Sequence, residues 1–147
     1  YSSLGSYADG EFARLISAAA STLDLEPHVV IRQVGRHAVP LLATRYLHFF
    51  ERHKTTRTFL LSLNNVIHAE VRKIYAGAEV PEFDYDTSSP EVLVMGYTSP
   101  RRLCALAQGF TEGAAAHFGE EVLFEQPQCM NRGDQKCVFQ ISFKKPP

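Results

Sequence analysis

The feature that most constrains this chain is a change of period at Pro81. Before it, apolar residues recur every three or four positions, the mark of helices buried along one face. After it they alternate, the mark of strands. "ADGEFARLISAAASTLDL" places Phe12, Leu15, Ile16, Ala19 and Leu23 on one helical stripe, with Asp9 as its N-cap. "LEPHVVIRQVGRHAVP" opens a second helix at Pro27 and ends or kinks it at Pro40. Short aromatic-rich helical segments follow in "LLATRYLHFFERHK". A helix then runs from Leu60 to Tyr75, with a stripe of Leu60, Leu63, Ile67, Val71 and Ile74, and Gly77 stops it.

Beyond Pro81, "EFDYD", "EVLVMGY", "EVLFEQ" and "KCVFQISF" read as four strands. A helix over "PRRLCALAQGFTEGAAAHFG", opening on Pro100 and closing at Gly119, separates the second from the third. A turn centred on "NRGD" separates the last two. The expected fold class is therefore α+β: N-terminal helices, then a four-stranded antiparallel sheet in the order β-β-α-β-β. With 147 residues, no repeat and no low-complexity linker, residues 1–147 read as a single domain.

Several function classes drop out. A net charge of −1 offers no basic stripe for nucleic acid. No run of about 18 apolar residues can span a membrane, and the start lacks the basic-then-apolar form of a secretory signal. A cytoplasmic location is the default expectation. Paired carboxylates, a nucleophile elbow and a phosphate loop are all missing, so the chain does not read as an enzyme. Glu112, Glu120 and Glu121 read as solvated helix-end charges, and His28, His37, His48 and His53 show no ligand spacing.

Two stretches carry chemistry. At about 100° per residue, His68 lies roughly 80° from the centre of its helix's stripe, bordering the core. Alone, such a histidine is more often a satisfied core residue than a ligand. In "YTSPR", Tyr97, Ser99 and Arg101 alternate, so on an extended segment a phenol, a hydroxyl and a guanidinium face one side. That row suits a carboxylate, which Arg101 can hold bidentately. The plainer reading is a strand end followed by Ser99 capping a helix ahead of Pro100.

The spacing of a helical histidine, a proline in "AEVPEF" and Tyr-x-Ser-x-Arg resembles the heme nitric oxide/oxygen binding (H-NOX) domain, the sensor fold of soluble guanylate cyclase and its bacterial relatives. "IRQVGRH" and "LAQGFTEGAAAHFGEEV" are similar to further stretches of that family, so the resemblance covers essentially the whole chain. It implies heme b between the helical and sheet portions. His68 would be the axial ligand of the heme iron, Tyr97, Ser99 and Arg101 would bind the propionates, and Pro81 would pack on the porphyrin. Leu106 falls where oxygen-holding members place a distal tyrosine, so an apolar wall, and a nitric oxide sensor that discriminates against oxygen, are implied. Tyr1 and Tyr7 lie too far from the motif to replace that tyrosine. Loss or strain of the iron–histidine bond would then regulate a partner enzyme, a histidine kinase or a cyclic-dinucleotide signalling protein. Against the family, residues 1–147 are expected to lack about two upstream helices. The alternative is a non-heme small-molecule, thiol redox or zinc sensor with the same C-terminal sheet, in which His68 is structural.

Cys104, Cys129 and Cys137 all lie in the last third. An odd count without an export signal argues against a disulfide framework. A subgroup of bacterial relatives resembles the chain here, with three cysteines and a histidine holding zinc, but Gln126 stands at the histidine's position. Three readings stay open: zinc held by the three thiols with His117 or water as substitute, a redox-sensitive Cys129–Cys137 disulfide, or reduced and inert thiols.

Overall fold

A computed structural model of the chain describes Gly5 and residues 7–144. Helices α1 (Asp9–Leu23), α2 (Pro27–Arg45), α3 (Leu47–Phe50), α4 (Thr56–Leu61) and α5 (His68–Ile74) come first, with a π-helical turn at Leu63–Ile67 between the last two. Strands β1 (Glu82–Asp86) and β2 (Val92–Thr98), helix α6 (Cys104–His117), and strands β3 (Glu121–Gln128) and β4 (Cys137–Lys144) follow. The sheet order is β1-β2-β4-β3 and every pair is antiparallel. The α+β reading and the order of elements hold.

One face of the sheet makes the core. Leu93, Met95, Phe139 and Ile141 are fully buried, and they pack with Phe49, Phe50, Phe59 and Leu60 from α3 and α4. Helices α2 and α6 close the opposite side through a glycine seam. A Cβ on Gly109 would collide with the Arg32 carbonyl oxygen, one on Gly35 with that of Leu106, and one on Gly113 with that of Arg36. The glycines quoted in "IRQVGRH" and "LAQGFTEG" thus let two backbones approach more closely than any side chain permits.

Four local expectations need correction. Asp9 does not cap α1; it is the first helical residue, and Ala8 occupies the cap position without a side-chain bond. The stripe of α1 is rotated, because only the small cluster of Ile16, Ala20 and Val30 covers it, while Leu15 and Leu23 stay more than half exposed. Pro40 does not end α2, which continues to Arg45. The carbonyl of Arg36, which Pro40 cannot serve with an N–H, lies against Gly113 in the seam, so tertiary packing carries the helix past the proline. Helix α6 opens at Cys104, not Pro100. Ser99 Oγ instead accepts the backbone N–H of Arg101 at 3.3 Å inside the preceding loop. Among the described residues, no helix is long and apolar enough to cross a membrane.

Candidate functional site

Between the α2–α6 pair, the α4–α5 segment and the sheet lies a cavity of about 390 Å³, within the size range of cofactor and small-molecule pockets. Its walls are mostly aliphatic and aromatic. His68, Pro81, Tyr97, Ser99, Arg101 and Leu106 all line it. Residues far apart in sequence therefore share one chamber.

His68 reaches the cavity because of the π turn. The backbone N–H of His68 bonds to the Leu63 carbonyl, five residues back, and Ile67 N bonds to the Ser62 carbonyl at 3.4 Å. One extra residue in that turn sets every later side chain back by about 100°. His68 swings from the border of the stripe toward the cavity, while Ile74, still at the cavity's rim, is 51% exposed. Strand β1 pins the turn from the side. Asn64 Nδ2 donates to the Phe83 carbonyl at 2.6 Å, and Phe83 N donates to Asn64 Oδ1 at 3.2 Å. The Tyr85 hydroxyl donates to the Leu60 carbonyl at 2.7 Å, and burial pushes its phenol so far up that it remains a donor. The Phe83 ring stacks on the imidazole at 5.6 Å. The sequence showed no π turn, although "SLNNV" placed a serine and two asparagines, weak helix formers that bond to backbone, within one turn.

The surroundings of the imidazole favour its neutral form. Burial lowers the His68 pKa, the nearby Arg72 charge lowers it further, and the Pro81 backbone carbonyl pulls the other way. His68 Nδ1 is buried without a hydrogen-bond partner. Such an atom carries a desolvation cost that a ligand can relieve.

Tyr97 and Ser99 are buried at the end of β2 and just beyond it. Burial raises the Tyr97 phenol above its ordinary value, against the pull of hydrogen bonds involving Ser99 and the Leu103 backbone, so it stays protonated and able to donate. Arg101 departs from the expected free row. It lies past the strand in an exposed turn, and its Nη2 pairs with Asp9 Oδ1 of α1 at 2.6 Å. Asp9 is a site neighbour that sequence reasoning assigned to helix capping. Glu112 is also corrected: it is mostly buried and holds Arg32 at 2.7 and 2.9 Å across the glycine seam. Glu120 accepts the Thr56 N–H at 2.7 Å, capping α4 from afar. Tyr1 lies outside the described residues, and Tyr7 is exposed away from the cavity lining.

Behind Tyr97, the three cysteines converge. Their Sγ atoms lie within 4.8 Å of one another, all buried. Cys104 and Cys129 approach to 3.7 Å, Met130 N donates to Cys137 Sγ at 3.2 Å, and Asn131 Nδ2 donates to Cys104 Sγ at 3.4 Å. Burial pushes Cys137 up to about 12. For Cys129 burial acts in the same direction, but the Asn131 and Arg132 backbone and the other two thiols outweigh it and lower the value. His117, the expected substitute ligand, is not part of this cluster; its ring packs on Phe50 and Phe118.

The family model described as Haem-NO-binding matches residues 1–126. The chain belongs to this family. Among solved structures, the H-NOX protein of S. oneidensis in the Fe(II)NO ligation state is 28% identical, with a TM-score of 0.93 over 99% of this chain and 81% of that one. A triple mutant of the S. oneidensis protein in the Fe(II) state is also 28% identical, with a TM-score of 0.94 over 100% and 79%. The unliganded Fe(II) H-NOX protein of K. algicida is 25% identical, with a TM-score of 0.89 over 99% and 78%. No curated protein matches the chain. H-NOX domains are heme-based gas sensors that signal to partner proteins. The residues of this H-NOX domain fit heme: an apolar chamber, an imidazole whose Nδ1 is buried without a hydrogen-bond partner, and a phenol, a hydroxyl and a guanidinium lining the same chamber.

Proposed function

We propose that this H-NOX domain is a nitric oxide sensor in which His68 is the axial ligand of heme iron and Tyr97, Ser99 and Arg101 hold the propionates. One observation carries the reading: a π turn, stapled by Asn64 just after a Leu60 carbonyl held by Tyr85, turns His68 into the chamber that the Tyr-x-Ser-x-Arg residues also line. A purely structural histidine has no need of that device or of an unpartnered nitrogen, so the non-heme alternative loses its main support.

When bound, heme would supply an iron able to bind both a diatomic gas and the imidazole of His68, each bond influencing the other. The protein's own residues do the rest. Lowered basicity favours the neutral imidazole, which leaves one nitrogen with a free lone pair. The phenol, hydroxyl and guanidinium orient the carboxylates. Pro81 stands in the wall beside His68, and Leu106 presents carbon and no hydrogen-bond donor to the gas. A position without a donor there favours nitric oxide over oxygen. The π turn and α5 contain no fully buried residue, so a change in the hold on His68 can move this segment at modest cost and alter the surface a partner reads. A histidine kinase or a cyclic-dinucleotide enzyme is the class of partner.

The spectrum of the reduced protein tests this. A Soret band that shifts with nitric oxide, is unchanged by air, and is lost in His68→Gly but restored by free imidazole supports the reading. A spectrum that converts to a stable oxygen form in air contradicts the role of Leu106. Undiminished heme retention by His68→Gly without imidazole contradicts the role of His68.

A further inference from the structure

The cysteine cluster has a donor set of its own. We infer that Cys104, Cys129 and Cys137 form a three-thiolate site for a soft monovalent ion, the cuprous ion, in place of a closed zinc centre. The thiols are already gathered, all within 4.8 Å. Metal–sulfur bonds of about 2.3 Å put three coplanar thiolates about 4.0 Å apart, so side-chain adjustment of under about an ångström closes the ring.

The fourth position decides the metal. Structural zinc sites are almost always four-coordinate and tetrahedral. Among the described residues, no histidine, aspartate or glutamate ligand atom joins the three sulfurs. Burial of all three cysteines keeps water from serving freely in their place. Asp134, the nearest acidic residue in the turn, spends Oδ2 on the Cys129 N–H at 2.7 Å. A cuprous ion is content with three thiolates, and soft sulfur ligands select it.

The surroundings suit the charge this leaves. Three thiolates around one monovalent ion carry a net charge of −2, which burial penalises unless N–H donors face the sulfurs. Met130 N faces Cys137, the Asn131 side chain faces Cys104, and backbone of the same turn faces Cys129. Gln126 lies on the inward side of β3 beyond Phe124, and its Nε2 is buried without a partner. An amide such as that of Gln126 is not among the usual ligands of a closed zinc centre. Binding exchanges the thiol protons for one cation, and neither sulfur nor copper changes oxidation state.

The inference does not depend on heme, and its test is read apart from heme. Reduced, metal-free protein would be titrated under argon with cuprous ion in competition with bicinchoninate. One equivalent should bind, with new ultraviolet thiolate–copper absorption, and equimolar zinc should not displace it. Cys129→Ser should weaken cuprous binding by about tenfold or more, and Gln126→His should strengthen zinc retention by about tenfold with little effect on copper. Zinc bound at one equivalent and undisturbed by equimolar cuprous ion would overturn the inference. So would a Cys129→Ser variant that binds cuprous ion as tightly as the parent, or a parent that takes up neither metal. The heme spectrum of the same samples shows whether the gas-sensing site is intact.

Discussion

Two walls of the same cavity are held in opposite ways. The α2–α6 wall is backbone against backbone: Gly35, Gly109 and Gly113 let carbonyls of one helix touch the other, and the Arg32–Glu112 pair bolts the seam. The wall carrying His68 is a π turn and a seven-residue helix without one fully buried side chain, tied to edge strand β1 by Asn64 and Tyr85. The first cannot shift without a clash. The second can shift by losing a few hydrogen bonds. A sensor needs this pairing, a rigid frame to hold a ligand and a compliant element to report on it.

The largest expected effect breaks the rigid wall. Gly109→Ala drives a Cβ into the Arg32 carbonyl, so a helix must move; overpacking of this kind costs about 1–3 kcal/mol, and thermal unfolding should fall by about 5–10 °C. Unchanged melting would show that the seam is looser than its geometry. Next comes the compliant wall. Asn64→Ala removes both of its bonds to Phe83 and leaves buried backbone partly unpaired, a loss of about 1–3 kcal/mol. Amide exchange over residues 62–75 should accelerate while α2 and α6 keep their protection. If exchange rises evenly through the chain, the two walls are one cooperative unit.

These two regions were unequally legible in the sequence. The helix-to-sheet switch, all four strands and the Gly119 and "NRGD" turns follow from periods and turn chemistry that act locally. So does the choice of His68, Tyr97, Ser99 and Arg101, although their meaning came from their combined spacing. What escaped depends on contacts between distant residues. Pro40 inside α2, the glycine seam and the Asp9–Arg101 pair are set by packing partners no local window contains. The π turn shows this most clearly, since a strict helical count left His68 beside the cavity and one extra residue put it inside.

Smaller effects sharpen the picture. Asp9→Asn releases Arg101 from an exposed ion pair, so stability should change by no more than about 1 kcal/mol. If Arg101 holds a propionate as proposed, heme affinity should hold or rise, because Asp9 would no longer compete for the guanidinium. A marked loss of heme would mean that Asp9 positions Arg101 instead of competing for it. The pH dependence is gentler. Because folding lowers the His68 pKa, the unfolded chain takes up that proton first as pH falls through about 6.5. The heme-free protein should therefore lose stability below that pH, and His68→Gln should flatten the decline; an unaltered profile would remove His68 as its source.

The most direct test of the account is hydrogen–deuterium exchange on the reduced, heme-loaded protein with and without nitric oxide. Nitric oxide should deprotect residues 62–75 and leave the α2–α6 seam untouched. Deprotection centred on the seam, or no change around His68, would contradict it.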